Sequence, residues 1–239
     1  MTALVLQARI DSDRLPRKSL LALDGKPLIL RVMEALGALP VEAKILACPG
    51  DSVSAFAPLT EEAGFSLVAG PKEDVLARYC LAIRHSGADR IIRATGDNPF
   101  VFADAAWALN REAVELGADY AGYLELPYGA GVESVASEAL LRAEREAEAP
   151  AEREHVCPYL YNHPELFNIH RPPAPRRWRK PDYRITVDTQ EDYERAQLLY
   201  GRLSALSLEE RRLGEIVIAV YKSLFAGDAP IDVVSGGSK

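Results

Sequence analysis

Near its start the chain reads Leu4-Val-Leu-Gln-Ala-Arg-Ile-Asp-Ser-Asp-Arg-Leu-Pro-Arg-Lys18, and these residues give the clearest indication of the fold class. Residues 3–8 form an almost wholly apolar run, which is typical of a strand buried on both faces of a parallel sheet. Residues 9–26 then carry five basic and three acidic side chains, a local positive excess in a chain whose formal net charge is -7. Because α/β sheets bind anionic ligands in the loops that leave the carboxyl ends of their strands, this segment predicts a site for a polyanion.

The residues of this loop also resemble a family signature. The opening motif of the cytidylyltransferases that activate sugar acids resembles Gln7-Ala-Arg9, Ser12, Arg14-Leu-Pro16, Lys18 and Gly25-Lys-Pro-Leu28. The most similar branch contains spore coat polysaccharide biosynthesis protein F and acylneuraminate cytidylyltransferase-like proteins. The family loop is written Q-A-R-x-G-S-x-R-L-P-G-K, and this chain has Asp11 and Arg17 at its two glycine positions. Glycine there would permit a positive φ or close approach of backbone N–H groups to phosphate, whereas Asp11 adds a negative charge.

From the residues alone, two interpretations of the loop stay open. One is a nucleotide site, and the other is a solvated basic loop that follows a core strand, because charged loops are common and motif matches include false positives. Two other phosphate-binding motifs are excluded by spacing. Gly25-Lys26 is not a P-loop, since Leu20 stands where its first glycine should be and Pro27 replaces Ser or Thr, and no G-x-G-x-x-G follows the first strand.

Composition sets the broad class. The chain has 239 residues, of which 48% are hydrophobic and 26% charged, as in ordinary globular domains. We expect one nucleotidyltransferase-like domain over residues 1–239. The acidic balance disfavours a nucleic-acid partner, and the absence of a long apolar run or a charged leader predicts a cytoplasmic protein with no membrane association. The three cysteines are widely separated and odd in number, which favours reduced thiols packed in the core.

Hydrophobic periodicity and turn residues predict an alternation of strands and helices. The predicted strands cover residues 3–8, 43–48, 65–69, 88–95, 118–123 and 182–187, with a further strand around Glu133. The predicted helices cover residues 28–39, 51–63, 103–116, 137–147 and 208–225, with two more ending near Gly87 and Leu203. The βαβαβ order predicts a three-layer α/β/α sandwich with a mostly parallel, Rossmann-like sheet, and the resemblance implies the nucleotide-diphospho-sugar transferase type of that fold.

A segment after the third predicted strand carries the resemblance further. Gly70-Pro-Lys-Glu-Asp-Val-Leu-Ala-Arg-Tyr79 resembles the family pattern G-x-x-x-D-V-L-x-R-Y. The resemblance implies that Gly70, Asp74 and Arg78 contact the base and ribose of a nucleotide. A structural alternative is that Asp74 stabilises the first turn of a helix and pairs with Arg78 four residues later.

Two aspartates are candidate metal ligands. Arg93-Ala-Thr-Gly-Asp-Asn-Pro-Phe100 resembles the family pattern R-x-T-G-D-x-P, and Arg184-Ile-Thr-Val-Asp-Thr-Gln-Glu-Asp192 resembles R-L-T-V-D-T-x-E-D. The resemblance implies that Asp97 and Asp188 ligate a metal, and two carboxylates with phosphate oxygens and water suit Mg²⁺. A turn-forming role for Asp97 stays open, and the residues after Asp188 are typical of a helix start.

Candidate acceptor residues lie in the region 124–181. Leu126-Pro-Tyr-Gly-Ala-Gly-Val-Glu133 resembles P-x-G-x-x-V-E, and the segment around His155 resembles S-x-R-E-H-V-T-P-Y-I. The resemblance implies that Glu133, Arg153 and His155 meet a sugar substrate or a second subunit, so we expect a sugar-binding and dimerisation subregion and a homodimer. A zinc site at His155 and Cys157 lacks the three or four ligands that zinc needs. The proline-rich basic segment 171–181 predicts an extended connector lying over an anionic substrate.

Together the resemblance implies a Mg²⁺-dependent cytidylyltransferase that joins CMP from CTP to a sugar or sugar acid and releases pyrophosphate, in surface polysaccharide biosynthesis. Arg9 and Lys18 would be catalytic because they stabilise the charge of the leaving group. The residues expected to bind the nucleotide are Gln7, Ala8, Arg9, Ser12, Arg14, Lys18, Gly70, Asp74 and Arg78. Two alternatives stay open. One is a glycosyltransferase with a nucleotide-sugar donor, although Gly96-Asp97-Asn98 supplies only one carboxylate of the usual Asp-x-Asp motif, and the other is a nucleotide-binding module that has lost catalysis.

Overall fold

The computed structural model describes residues 1–12 and 14–225, so Asp13 of the basic loop and the polar end of the chain lie outside the described residues. The strands are β1 (Thr2–Gln7), β2 (Ala22–Leu23), β3 (Lys26–Pro27), β4 (Ala43–Pro49), β5 (Ser66–Gly70), β6 (Arg90–Thr95), β7 (Tyr120–Gly122), β8 (Glu133–Ala136) and β9 (Ile169–His170). The α-helices are α1 (Leu28–Leu36), α2 (Val53–Ala63), α3 (Val75–Ser86), α4 (Ala103–Glu115), α5 (Ser137–Glu146), α6 (Pro150–His155), α7 (Pro158–Asn162), α8 (Gln190–Leu203), α9 (Leu208–Arg211) and α10 (Gly214–Phe225). Short 3₁₀ helices cover Lys18–Leu20 and Gly50–Ser52.

The central sheet has seven strands in the order β5-β4-β1-β6-β8-β7-β9. Strand β8 runs antiparallel to its neighbours β6 and β7, and the other pairs in this sheet are parallel. Strands β2 and β3 form a separate antiparallel pair at the end of the basic segment 9–26. The predicted mostly parallel sheet is therefore confirmed.

Strand β1 lies in the middle of the sheet and is buried on both faces, as its apolar run predicts. Leu4 and Leu6 face one hydrophobic core, to which α1, α2, α4, α8 and α10 contribute. Ala3 and Val5 face the other core, which α3, α5 and α7 cover. Because side chains alternate between the two faces of a strand, an uninterrupted apolar run needs a helical layer on each side. The three-layer α/β/α sandwich is confirmed.

The strand predicted over residues 182–187 is wrong. This segment is extended, but it bonds to loops rather than to the sheet: the N–H of Ile185 donates to the carbonyl of Tyr128 at 2.9 Å, and the N–H of Val187 donates to the carbonyl of Asp97 at 3.0 Å. Gly129 allows this close approach, since a Cβ at that position would lie 2.6 Å from the Thr186 nitrogen. Alternating apolar residues indicate that a segment is buried, but they do not indicate which part of the backbone it hydrogen-bonds to.

The helix predicted over residues 208–225 is interrupted between α9 and α10. The N–H of Gly214 donates to the Asp104 carboxylate at 3.0 Å, which places an acidic cap at the start of α10. The Arg212 guanidinium donates to the carbonyl of Glu34, at 2.6 Å and 3.0 Å.

Strand β9 has two residues and is not predicted from the sequence, because so short an element leaves no periodic signal. Among the helices of the described ranges, none is long and apolar enough to cross a membrane.

Candidate active site

A cleft of about 280 Å³ opens at the carboxyl ends of β1 and β6. Its lining combines the basic loop with residues from four other segments of the chain. The residues are Gln7, Ala8, Arg9, Ser12, Arg14, Lys18, Ser19, Lys72, Glu73, Val75, Arg78, Thr95, Gly96, Asp97, Glu154, His155 and Asp188. The structure thus brings most of the predicted loop residues to one place together with both predicted aspartates.

Lys18 joins the two aspartates at this cleft. Its Nζ donates to Oδ2 of Asp97 at 2.8 Å and to Oδ1 of Asp188 at 2.7 Å, so those two oxygens are separated by no more than two hydrogen-bond lengths. The Lys18 side chain is only 15% exposed. Burial by itself lowers the pKa of the Lys18 ammonium, but Asp97 and Asp188 outweigh it and hold the pKa above its ordinary value. The lysine therefore stays charged, with both carboxylates as its counter-ions.

The turn after β6 holds Asp97 in place. A Cβ on Gly96 would lie 2.5 Å from Cδ1 of Ile29 and 2.9 Å from Cβ of Ala8, so only glycine lets the turn pack against the end of β1. The Thr95 hydroxyl donates to Oδ1 of Asp97 at 2.6 Å. Burial by itself raises the pKa of Asp97, but Lys18 outweighs it and leaves the pKa below its ordinary value. Asp97 is therefore presented to the cleft as a carboxylate.

Asp192 holds the second aspartate, Asp188. Its Oδ2 accepts hydrogen bonds from the backbone N–H of Asp188 at 3.0 Å and of Thr189 at 3.2 Å. Thr189 and Asp192 form a reciprocal capping box at the start of α8, where the sequence predicts that a helix begins. Arg184 adds two bonds of 2.8 Å to the Asp192 carboxylate, which is 3% exposed. Because Asp188 lies just before this cap, its position depends on the cap.

We expect Asp192→Asn to lower the free energy of unfolding at neutral pH by about 3 kcal/mol, the low end of the range for breaking a buried ion pair. Burial by itself raises the pKa of Asp192, but the Arg184 and backbone N–H donors outweigh it and leave the pKa lowered. A carboxyl with a lowered pKa in the folded chain stabilises the fold above about pH 4 and loses that contribution as the pH falls through the lowered value. The difference between wild type and variant should therefore shrink on acidification, which urea unfolding at a series of pH values measures.

The matched control is Glu191→Gln, which removes an exposed acidic group from the same helical turn. It should change the free energy of unfolding by less than about 0.5 kcal/mol. A difference between wild type and Asp192→Asn that stays constant down to acidic pH would contradict the role given to the carboxylate.

The two departures from the family glycines have structural counterparts. Arg17 adopts φ 55° and ψ 29°, the left-handed conformation that glycine favours, at a cost of about 1 kcal/mol. Asp11 forms an ion pair with Lys72, and Lys72 also lies 3.2 Å from the Asp51 carboxylate. At position 17 the backbone thus takes the conformation that glycine would favour. The negative charge that Asp11 adds to the loop is paired with Lys72.

Arg78 reaches the cleft, but the other two residues predicted with it do not line it. The Arg78 side chain is 2% exposed and donates to the carbonyls of Pro71 at 3.1 Å and Lys72 at 3.4 Å. Its Nε has no partner within the described residues. Asp74 instead caps α3, accepting from the N–H of Ala77 at 2.9 Å, and its other oxygen pairs with Arg153. Gly70 ends β5, beneath the Arg78 side chain.

A second cavity of about 280 Å³ lies beside the first and shares Thr95 with it. Glu133 lies on its wall and forms an ion pair with Arg93. It also accepts a bond from the Tyr120 hydroxyl at 2.7 Å and a longer one from the Cys157 thiol at 3.5 Å. Burial, and then the nearby Glu133 carboxylate, raise the pKa of the Cys157 thiol well above its ordinary value, so this cysteine is a packed neutral group.

The three predicted acceptor residues lie in three environments. Glu133 lines the second cavity, and His155 lines the first. Arg153 pairs with Asp74 and donates to the carbonyls of Glu144 and Ala147 at the end of α5, at 3.0 Å and 2.9 Å. The structure therefore does not bring these three side chains together.

Sequence reasoning missed a hydrogen-bonded chain that links the two cavities. The Asn98 amide donates to the Thr95 hydroxyl at 2.8 Å, and that hydroxyl donates to Asp97. The amide oxygen of Asn98 is buried and has no partner within residues 1–12 and 14–225. The Thr-Gly-Asp-Asn motif marks these positions, but it carries no signal that Asn98 lines the second cavity.

The carboxylate pair is the candidate metal centre. In the described part of the chain, no group of three or more His, Cys, Asp or Glu side chains is arranged to hold a metal ion, and this includes the surroundings of His155 and Cys157. The two oxygens that share Lys18 already suit one cation between them, and carboxylate oxygens are the donors that Mg²⁺ prefers. The donor set therefore fits a hard divalent ion completed by oxygens of a substrate and water.

Comparisons with known proteins give a matching family model, a related sequence and structures that share the fold. A family model described as cytidylyltransferase matches residues 3–218. Spore coat polysaccharide biosynthesis protein SpsF of Bacillus subtilis (strain 168) is 38% identical over 140 residues, which are 58% of this chain and 58% of the length of SpsF. A cytidylyltransferase structure from Leptospira borgpetersenii serovar Hardjo-bovis (strain JB197) superposes with a TM-score of 0.85 at 23% identity, covering 94% of this chain and 95% of that one.

A CMP:2-keto-3-deoxy-manno-octonic acid synthetase complexed with CTP also superposes, with a TM-score of 0.64 at 18% identity, covering 84% of this chain and 98% of that one. At these identities the two structures show a shared fold.

Proposed function

The chain belongs to the cytidylyltransferase family, and from this premise we propose that it transfers CMP from CTP to a hydroxyl of a sugar or sugar acid and releases pyrophosphate. The observation that carries the proposal is the joint contact of Lys18 with Asp97 and Asp188 in a cleft walled by basic side chains. The similarity to SpsF supports a role in surface polysaccharide biosynthesis.

The basic loop would hold the triphosphate. Arg9 and Arg14 have exposed side chains at the cleft, and Arg14 lies 3.5 Å from Asp188. With Lys18 they place positive charge where negative charge builds on the leaving pyrophosphate, and such donors act most strongly when they are already in position. Gln7, Ala8 and Ser12 complete this wall of the cleft.

The base and ribose would lie beside Arg78 at the start of α3. Its buried guanidinium still has an unpartnered Nε, and a nucleotide supplies the acceptors that this group lacks. Gly70 and Asp74 would be positioning residues, because Gly70 packs beneath the Arg78 side chain and Asp74 caps the helix that carries it.

Asp97 and Asp188 would hold Mg²⁺, for which their carboxylate oxygens fit. When bound, the ion would polarise the α-phosphate and neutralise part of its charge. The chain's own part is to keep Asp97 ionised, through Lys18 and Thr95, and to fix Asp188 through the Asp192 cap.

The second cavity would take the acceptor. Its Asn98 oxygen is an unpartnered acceptor for a sugar hydroxyl, and Arg171 at its rim supplies a positive charge that suits a sugar carboxylate. Arg93 is already paired with Glu133, so those two charges are matched to each other. Glu133 would then contact a sugar at the wall of the second cavity. His155 would contact the substrate from the first cavity, and Arg153 would act indirectly, through its pairing with Asp74.

The region 124–181 would serve as the sugar-binding and dimerisation part of a single domain, in a cytoplasmic homodimer. Support comes from its position, since it supplies Glu133 and Arg171 to the second cavity. Sedimentation velocity of the full chain tests the dimer.

The function is tested by pyrophosphate release from CTP with Mg²⁺ and a panel of sugars and sugar acids. Release that depends on the acceptor supports the proposal. Hydrolysis of UDP-sugars without pyrophosphate release would favour a glycosyltransferase, and CTP binding by calorimetry without turnover would favour a catalytically inactive binding module.

Once an acceptor that supports turnover is identified, we expect Asn98→Ala to raise the KM for that acceptor about tenfold. This is the loss of affinity expected when one hydrogen bond of about 1.4 kcal/mol is removed. The KM for CTP should stay within about twofold, because Asn98 lines the second cavity and not the first. Asn162→Ala, at an exposed position at the end of α7, is the control. An equal rise in both KM values would place Asn98 outside the acceptor site.

A further inference from the structure

Lys18 occupies the position between Asp97 and Asp188 that a divalent ion would share. Its ammonium lies 2.8 Å from one carboxylate and 2.7 Å from the other. The second oxygen of Asp188 lies 3.4 Å from Arg184, and Arg14 approaches its first oxygen at 3.5 Å. The carboxylate pair therefore already has positive partners from within the chain.

A free metal ion would have to compete with these partners. Both carboxylates and Lys18 are mostly buried, with side-chain exposures of 28% for Asp97, 9% for Asp188 and 15% for Lys18. An ammonium that loses its partners in such a place costs free energy, because a buried charge without a counter-ion is strongly disfavoured. The Asp11 carboxylate of the same loop does not offer a replacement, since it is paired with Lys72.

A nucleoside triphosphate changes this competition. Its phosphate oxygens would give Lys18 new anionic partners in the same cleft, while the metal neutralises the aspartates. The cost of moving the lysine is then offset in the same binding event.

We propose that Lys18 excludes free divalent metal from Asp97 and Asp188, so that the substrate of this site is the metal–nucleotide complex rather than a metal followed by a nucleotide. This inference rests on the proposed function. Lys18 serves as an internal counter-ion before the nucleotide arrives and as a phosphate-binding cation afterwards. By reciprocity, the factor by which the nucleotide strengthens metal binding equals the factor by which metal strengthens nucleotide binding.

The test measures Mn²⁺ binding to the full chain by electron paramagnetic resonance of the free ion, with and without a non-hydrolysable CTP analogue, after subtraction of the Mn²⁺ that the analogue binds in a protein-free titration. Wild type should bind Mn²⁺ at least about tenfold more weakly without the analogue than with it, within the usual range of coupling between sites. Lys18→Met should bind Mn²⁺ about tenfold more tightly than wild type in the absence of the analogue and should lose most of the coupling. This readout is binding, so it does not depend on turnover.

Arg111→Met is the control. It removes a positive charge from a side chain that is 67% exposed and does not line the cleft, so its effect on Mn²⁺ affinity should stay within about twofold. Lys18→Arg keeps the charge and should retain weak Mn²⁺ binding. The melting temperature of Lys18→Met should fall in EDTA and recover in Mn²⁺, because its two carboxylates then repel each other until an ion joins them.

Equal Mn²⁺ affinity of wild type with and without the analogue would overturn the inference, and this comparison needs no variant to fold. Asp97→Asn distinguishes a failure of the exclusion by Lys18 from a failure of the metal assignment itself. If wild type binds free Mn²⁺ tightly and Asp97→Asn abolishes that binding, the metal site stands and the exclusion by Lys18 fails. If Asp97→Asn leaves Mn²⁺ binding with the analogue unchanged, the metal assignment in the proposed function fails.

Discussion

Replacing Asp97 by asparagine is expected to lower the rate of pyrophosphate release by about 10²–10³-fold, as for a change that removes several kcal/mol of transition-state stabilisation. Asp188→Asn should have an effect of the same size. Each variant removes one of the two carboxylates that converge on Lys18, and an amide oxygen binds a hard cation less well than a carboxylate does. Single-turnover release of pyrophosphate from CTP, at saturating Mg²⁺ and acceptor, measures the effect.

Both variants should keep the fold, because Lys18 retains the other carboxylate as a partner and is not left with an unpaired charge. Circular dichroism and the melting temperature check this. Glu73→Gln is the control, since Glu73 is an exposed acidic residue of the same cleft. It should retain turnover within about threefold of wild type. Turnover at the wild-type rate in Asp97→Asn would remove the main support for the proposed function.

Arg93→Met is expected to lower the free energy of unfolding by about 3–5 kcal/mol, the range for removing one partner of a buried ion pair. Arg93 and Glu133 are 14% and 21% exposed, and Arg93 joins β6 to β8 through this pair. Without the guanidinium, the donors left to the Glu133 carboxylate among the described residues would be Tyr120 and Cys157. Urea unfolding at neutral pH measures the loss.

The matched control is Arg84→Met, which breaks an ion pair with Glu144 on the protein surface, where Arg84 is 52% exposed. Surface pairs contribute about 0–1 kcal/mol, so the control should unfold almost as wild type does. The double variant Arg93→Met with Glu133→Leu should recover part of the loss, because it removes the stranded charge. If Arg93→Met unfolds with the same free energy as the Arg84 control, the pair does not stabilise the sheet.

The basic loop shows how far a departure from a motif predicts a change in structure. Glycine at position 17 would permit a positive φ, and Arg17 takes the left-handed conformation even without it. The surrounding structure imposes it, since the following Lys18–Leu20 turn is anchored by Lys18 at the carboxylates and by Ser19, whose hydroxyl donates to the carbonyl of Arg9 at 3.0 Å. Likewise, the charge of Asp11 is met by Lys72, a residue 61 positions away whose proximity no local pattern shows.

The convergence of Asp97 and Asp188 could be predicted only in part. Both follow extended, apolar segments, and the rule that parallel strands end at one edge of a sheet places Asp97 at the cleft. For Asp188 the same rule was applied to a segment that is not a strand of the sheet. Asp188 reaches the cleft because its segment bonds to the carbonyls of Tyr128 and Asp97 and because Asp192 caps the next helix.

Local features could be read from the sequence alone: the doubly buried first strand, the alternation of strands and helices, the helix start at Thr189 and the residue types of the cleft. These follow from periodicity and from bonds between near neighbours, which any short stretch of chain contains. The pairing of charged and polar side chains, in contrast, depends on the tertiary fold. Lys18 pairs with residues 79 and 170 positions away, Glu133 is engaged by Arg93, and Asn98 links two cavities. Such pairings depend on strand order and on the path of loops, because electrostatic and hydrogen-bond partners are chosen by distance in space rather than by distance along the chain.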